Sequence, residues 1–201
     1  MSAREEILES VRRALGPSPR DEVPVPRGYR AMPAPEQLVD LFVDLFVDRV
    51  ADYRAVVVRC AETEVEARIA EALAGAASVV IPAGFEHPVA GAVEDTGQSA
   101  LDLDRVDGVV TGATVGIAVT GTIVLSHGVG QGRRALTLVP DLHVCVVHAS
   151  QVVHGVPEAV AALDASRPQT WISGPSATSD IELNRIEGVH GPRNLHVIVV
   201  G

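Results

Sequence analysis

Apolar residues along this chain fall into two rhythms, a helical one at the start and short unbroken runs later. Ile7, Leu8, Val11 and Leu15 recur at intervals of three and four, predicting an amphipathic helix over Ser2 to Leu15 that stops at Gly16-Pro17. Gly16 to Pro35 is rich in Pro and Arg with little apolar periodicity, the pattern of a linker or surface arm. Leu41-Phe42-Val43-Asp44 is then repeated as Leu45-Phe46-Val47-Asp48. On a helix this stacks Leu41 on Leu45 and Phe42 on Phe46, with Asp40, Asp44 and Asp48 on the opposite side. The acidic row reads as a solvated face rather than a metal site. The apolar stripe is either core or the seam of a homo-oligomer.

From Arg54 onward the rhythm becomes α/β. Ala55 to Val58 and Ser78 to Ile81 read as buried strands, with an amphipathic helix over Glu62 to Ala74 between them. Runs on this spacing imply crossover helices and a largely parallel central sheet covered by helices. Gly108 to Leu125 is rich in Val, Ile, Thr and Gly and lacks a helical period. It predicts two strands, Ala113 to Thr120 and Thr122 to Ser126, meeting at Gly121. Leu136 to Val139 leads into a Pro140-Asp141 turn. Further strands are expected over His143 to Val147, Thr170 to Ser173 and Leu195 to Val200, and helices over Pro157 to Ala165 and Ser179 to Ile186. The expected organisation is an N-terminal helix and arm over residues 1–34, then one α/β domain over 35–201.

Composition narrows the chemistry. The chain has 201 residues and is 47% hydrophobic but only 3% aromatic, so Val, Ala, Leu and Ile must build the core. A net charge of -10 and few aromatic rings argue against nucleic-acid binding, by phosphate neutralisation or by base stacking. No apolar run approaches the roughly 18 residues of a membrane span, and the charged N-terminus lacks the apolar core of a signal peptide, so a cytoplasmic location is expected. Lysine is absent, which removes Schiff-base chemistry, a pyridoxal phosphate anchor and a P-loop clamp. Cys60 and Cys145 are too few for an iron–sulfur cluster, and no cofactor is expected.

The candidate chemistry lies in polar turns. Ser173-Gly174-Pro175-Ser176-Ala177-Thr178-Ser179-Asp180-Ile181-Glu182 reads as strand, tight turn and helix N-terminus, with Ser179 and Glu182 spaced as a capping box. Such a junction at the carboxyl end of a sheet favours anions, yet the same letters suit an ordinary capped helix. Asp180 and Glu182 do not decide between the two. His190, in Gly188-Val189-His190-Gly191-Pro192, is either a proton carrier or a turn residue bonded to local carbonyls. Thr120-Gly121-Thr122 offers hydroxyls and a close backbone approach. Ser126 to Arg134 is a glycine-rich loop in which Arg133 or Arg134 could clamp a carboxylate or phosphate. His143-x-Cys145-x-x-His148 has the wrong alternation for zinc, since on a strand His148 points away from the other two, and no metal is expected.

Taken in order, the motifs TGT, glycine loop with Arg, Pro turn, SGPSATSDIE and GVHGP resemble the LUD-domain family, specifically lactate utilisation proteins of the LutC/YkgG type. The resemblance is strongest from Thr111 to Gly201. It implies a NagB/RpiA/CoA-transferase-like fold and a role in a LutABC-type system that oxidises L-lactate to pyruvate, with iron–sulfur protein partners. Shared motif positions are Thr120, Gly121, Thr122, Gly174, Pro175, Ser176, Thr178, Asp180, Glu182, His190, Gly191 and Pro192. Many relatives carry an acidic residue where this chain has Val119, which shifts weight from catalysis toward binding or assembly. The readings left open are a lactate-system component that binds a small anion, a stand-alone enzyme acting on a phosphosugar, acyl-CoA or folate, and an assembly factor for iron–sulfur partners.

Overall fold

The computed structural model describes residues 2–16, 24, 26, 28, 40, 45, 55–179, 185–188 and 191–201, with the backbone alone for 177–179 and 185–187. Asp180, Glu182 and His190, the acidic row beyond Asp40 and most of the Leu41–Phe46 stripe lie outside these residues.

Six strands form one all-parallel sheet: β1 (Val56–Cys60), β2 (Val79–Ile81), β3 (Val93–Glu94), β4 (Gly108–Gly112), β7 (Leu142–His148) and β12 (Asn194–Val200), in the order β1-β12-β7-β4-β2-β3. β12, β7 and β4 are interior strands, and their apolar runs are nearly continuous, which suits strands buried on both faces. Val144, Val146, Ile198 and Val200 point to one face and meet Val65 and Ile69 of helix α2 (Val65–Ala72). Alternation sends Cys145, Val147, Leu195, Val197 and Val199 to the other.

That second face is covered by another sheet. β5 (Val115–Ile117), β6 (Thr122–Leu125), β8 (Val152–Val153) and β9 (Thr170–Ile172) pair in the order β8-β5-β6-β9. Ala118, Ile123, Leu125 and Val152 close the core beneath it. Its outer side carries helix α4 (Val156–Ala162), through Ala159 against Val115, Ile117 and Val124. The Val/Ile/Thr/Gly-rich middle of the chain is therefore divided: Gly108–Gly112 is β4 of the parallel sheet, a strand not expected from the sequence, and Val115 to Leu125 belongs to the separate layer. Gly121, at φ +60°, makes its hairpin turn at the expected place. A four-residue helix, α3 (Ala100–Leu103), sends Leu103 into a satellite cluster with Val80, Val109 and Leu136.

The N-terminal helix α1 (Ala3–Leu15) forms as expected. Ser2 and Glu5 make a reciprocal capping box, and Gly16 at φ +65° ends the helix. Its apolar stripe buries nothing: Ile7 is 64% exposed and Val11 48%.

The expected helix over Ser179 to Ile186 is overturned. β10 (Ala177–Ser179) pairs antiparallel with β11 (Arg185–Glu187), in the register Thr178↔Ile186 and Ser179↔Arg185. A ladder residue cannot also be the N-cap of a helix, and β-branched Thr178 and Ile186 suit a strand. Spacing alone made Ser179 and Glu182 resemble a capping box. The pairing continues outward, since Gly188 donates its N–H to the Ser176 carbonyl (3.0 Å) and Ser176 donates to that of Pro192 (2.8 Å).

Candidate functional site

Those two bonds bring the C-terminal polar turns together. Ser173 to Ser176 pack beside Gly191-Pro192 and, with Arg134, Thr137, His143, Thr170 and Trp171, enclose a cavity of about 280 Å³. Strand β9 supplies Thr170 and Trp171, and the turn after it supplies the serines and Gly174. A 3₁₀ turn over Arg134–Thr137 supplies the guanidinium at the mouth.

The TGT residues stand behind this wall rather than in it. Thr120 Oγ1 donates to Thr122 Oγ1 (2.7 Å), and Thr122 Oγ1 lies 2.8 Å from Ser173 Oγ. Either hydroxyl can donate in the second link, so this chain fixes the position of Ser173 in the wall. Thr178 contributes through its place in the β10 ladder.

The two arginines have different fates. Arg133 is spent on structure: Nε and Nη2 bond the Asp95 carboxylate bidentately (2.8 and 2.9 Å), and Nη2 also bonds the Gln98 carbonyl (2.6 Å). The guanidinium in turn holds the Asp95 carboxyl below its usual range. Arg133 as a ligand clamp is thereby corrected. Arg134 Nη1 instead donates to Thr170 Oγ1 (2.9 Å), and its side chain faces the cavity.

A residue sequence reasoning passed over fixes Arg134. His127 Nδ1 lies 2.9 Å from the Gly132 carbonyl and Nε2 lies 2.8 Å from Thr170 Oγ1. A carbonyl only accepts and Arg134 only donates. With a neutral imidazole the relay has one polarity: Arg134 N–H to Thr170, Thr170 O–H to His127 Nε2, and His127 Nδ1–H to Gly132. His127 sits at φ +54°, a rare conformation for a residue with a Cβ, held by both ring bonds. That backbone could not be foreseen from the letters around it.

The floor of the cavity is His143, 1% exposed, with Nε2 2.8 Å from Thr111 Oγ1. Burial pushes its pKa down to about 4, so it stays neutral and offers hydrogen bonds, not charge. Cys145 shares its face, as strand alternation requires, and burial raises that thiol to about 12. A thiol held so high is no nucleophile near neutral pH.

Two further expectations change. The glycine loop does not cradle an anion with its amides: Gly130 donates to Ala83, and Gln131 and Gly132 both donate to Gly128. The SGPS turn follows a strand of the second sheet, so the cavity lies beside the amino ends of β7 and β12, not at the carboxyl edge of the parallel sheet. A wider hollow of about 940 Å³ opens near those amino ends too. It carries Asp104, Asp107 and Asp141, the last paired with Arg193 (2.6 and 2.9 Å), and its acid excess disfavours anions.

Comparison with known proteins decides the kinship. The LUD domain family matches residues 31–200. The chain belongs to the LUD-domain family. Over 99% of its length it is 46% identical to lactate utilization protein C of Deinococcus radiodurans, covering 96% of that protein. It is 42% identical, over 38% of its length and 35% of the relative's, to lactate utilization protein C of Bacillus pumilus. The crystal structure of a DUF162 family protein from Deinococcus radiodurans superimposes with a TM-score of 0.71 at 42% identity, covering 83% of this chain and all of that one. LUD-domain kinship, the mostly parallel α/β sheet and the sequence resemblance thus agree. Among the described residues no helix is long and apolar enough to cross a membrane.

Proposed function

We propose that this LUD-domain chain is a cytoplasmic component of bacterial lactate utilisation that binds a small carboxylate anion in the Arg134 cavity. The near-full-length relative named for lactate utilization supports the pathway. The observation carrying the ligand class is a positioned guanidinium at the mouth of a 280 Å³ cavity whose wall also presents Thr137, Thr170, Ser173 and Ser176. A guanidinium with neighbouring hydroxyls matches a carboxylate, and a 2-hydroxy acid brings a further hydroxyl for those groups to bind. Iron–sulfur proteins are the partners that the family resemblance implies, which suits a chain whose two buried cysteines are too few to hold a cluster.

Calorimetric titration with L-lactate, pyruvate and inorganic phosphate tests the reading. Arg134→Ala removes a charged hydrogen-bond donor and should weaken the best of these about 10- to 100-fold. Arg133→Ala should leave that affinity unchanged while lowering stability, because its partner is Asp95. Equal loss in both variants, or none in either, rejects the cavity. Unimpaired growth on L-lactate of a strain lacking the gene rejects the pathway.

A further inference from the structure

The carboxyl edge of the parallel sheet, where open α/β folds place ligands, carries a second constellation remote in sequence from the first. His148 is the last residue of β7, Glu86 and His87 lie in the loop after β2, and Glu62 begins the 3₁₀ turn after β1. Among the described residues, Glu86, His87 and His148 bring their ligand atoms within 4.8 Å of one another. We propose that these three residues bind a divalent transition-metal ion through the two imidazoles and the carboxylate, with Glu62 orienting His148.

Geometry supports this beyond the mere presence of the residues. Glu86 Oε1 lies 2.7 Å from His148 Nε2 and 3.6 Å from His87 Nε2. Ligands about 2.0–2.1 Å from a tetrahedral ion stand about 3.3 Å apart, between those two separations. A plain His148–Glu86 ion pair would explain the shorter distance. It does not explain His87, whose side chain is only 10% exposed and whose Nε2 is buried without a hydrogen-bond partner. A buried imidazole nitrogen left so is unfavourable, and a bound cation removes that cost.

The surroundings hold both rings in place. Phe85 packs edge-on to His87 at 5.7 Å between centroids, and His87 stacks with His148 at 6.1 Å. Gln151 accepts from the His148 backbone N–H (2.8 Å) and donates to the Ala113 carbonyl (2.7 Å), fixing the end of β7. Glu62 Oε2 stands 3.7 Å from His148 Nδ1. It lies just beyond hydrogen-bond reach, and by closing on the ring it would hold the proton at Nδ1 and leave Nε2 for the metal, the carboxylate–histidine arrangement that tunes metal ligands.

Two imidazoles with one carboxylate suit Zn²⁺, Fe²⁺, Mn²⁺ or Co²⁺ rather than Mg²⁺ or Ca²⁺, which prefer all-oxygen sets. Three protein ligands leave coordination positions open. The adjoining crevice of about 290 Å³, kept open by the side-chain-free Gly84, Gly112 and Gly130 in its lining, has room there for water or a small oxygen-donor ligand.

The test uses the full chain, stripped with chelator and titrated with Zn²⁺ and, for its absorption spectrum, Co²⁺. One equivalent should bind with a visible Co²⁺ band. His87→Ala and His148→Ala should each weaken Zn²⁺ about 100-fold, and Glu62→Gln about 10-fold. Arg134→Ala should leave metal affinity unchanged, which separates this site from the anion cavity. If a histidine variant fails to fold, paramagnetic broadening of the His87 and His148 ring resonances by Co²⁺ in the unaltered protein gives the answer. Absence of stoichiometric binding, absence of that broadening, or unchanged affinity in folded His87→Ala and His148→Ala overturns the proposal.

Discussion

Gly132→Ala should lower the unfolding free energy by about 2–5 kcal/mol, the sum of a left-handed backbone penalty and overpacking. Gly132 stands at φ +69°, where an added Cβ would lie 2.5 Å from Leu136 Cδ1 and 2.8 Å from Pro82 Cβ. Neither neighbour can retreat easily, because Leu136 is fully buried against Val80, Leu103 and Val109. The same carbonyl receives the His127 ring bond that orients Thr170 and then Arg134. Urea unfolding should therefore show the stability loss, and calorimetry a weaker anion affinity in the fraction that remains folded. A variant as stable as the parent would mean that the 128–132 loop is not packed as described.

Stability should also fall as the pH is lowered from about 6.5 to about 4, by up to about 3 kcal/mol from His143. The sign follows from proton counting. Burial depresses the folded pKa from 6.5 to about 4, so within that window the unfolded chain binds the proton and the folded chain does not. Each step down in pH then favours unfolding, and below the folded pKa the loss from this group is complete. His196, half-buried and also shifted down by desolvation, adds in the same direction. Comparing urea midpoints at pH 7 and pH 4.5 measures the loss. Thr111→Val with His143→Leu removes the buried pair together, giving up beyond it only the weak Thr111–Cys145 sulfur contact, and should flatten most of the dependence.

The parallel sheet is legible in part: β7 and β12 stand out as continuous apolar runs, but the equally buried β4 merges with the Val/Ile/Thr/Gly-rich stretch that follows it, and the two-residue β3 is too short to show. The Val-rich runs of β1, β2, β7 and β12 need no partner to be recognised. The second sheet was harder to separate, since β5 and β6 are short and apolar on both sides and their layer is set by pairing with β8 and β9. The β10–β11 ladder was lost to a local cap pattern that long-range pairing overrode. In the site, hydroxyl-rich turns announced Ser173 and Ser176, but adjacency could not rank Arg133 against Arg134. Asp95 decides that, 38 residues away. His127 finds Thr170 across 43 residues, and Glu86 finds His148 across 62. No spacing rule spans such intervals, and only the crossover geometry of the sheet brings them together.

The placement of Trp171 has a practical result. It is the single indole of the chain, 41% exposed on the rim of the Arg134 cavity, with Nε1 bonded to Gln169. Its fluorescence should therefore report occupancy of that cavity directly, changing in colour or intensity as a ligand displaces solvent from the ring. An unlabelled sample then serves as its own sensor, and a small-acid collection can be screened by emission alone.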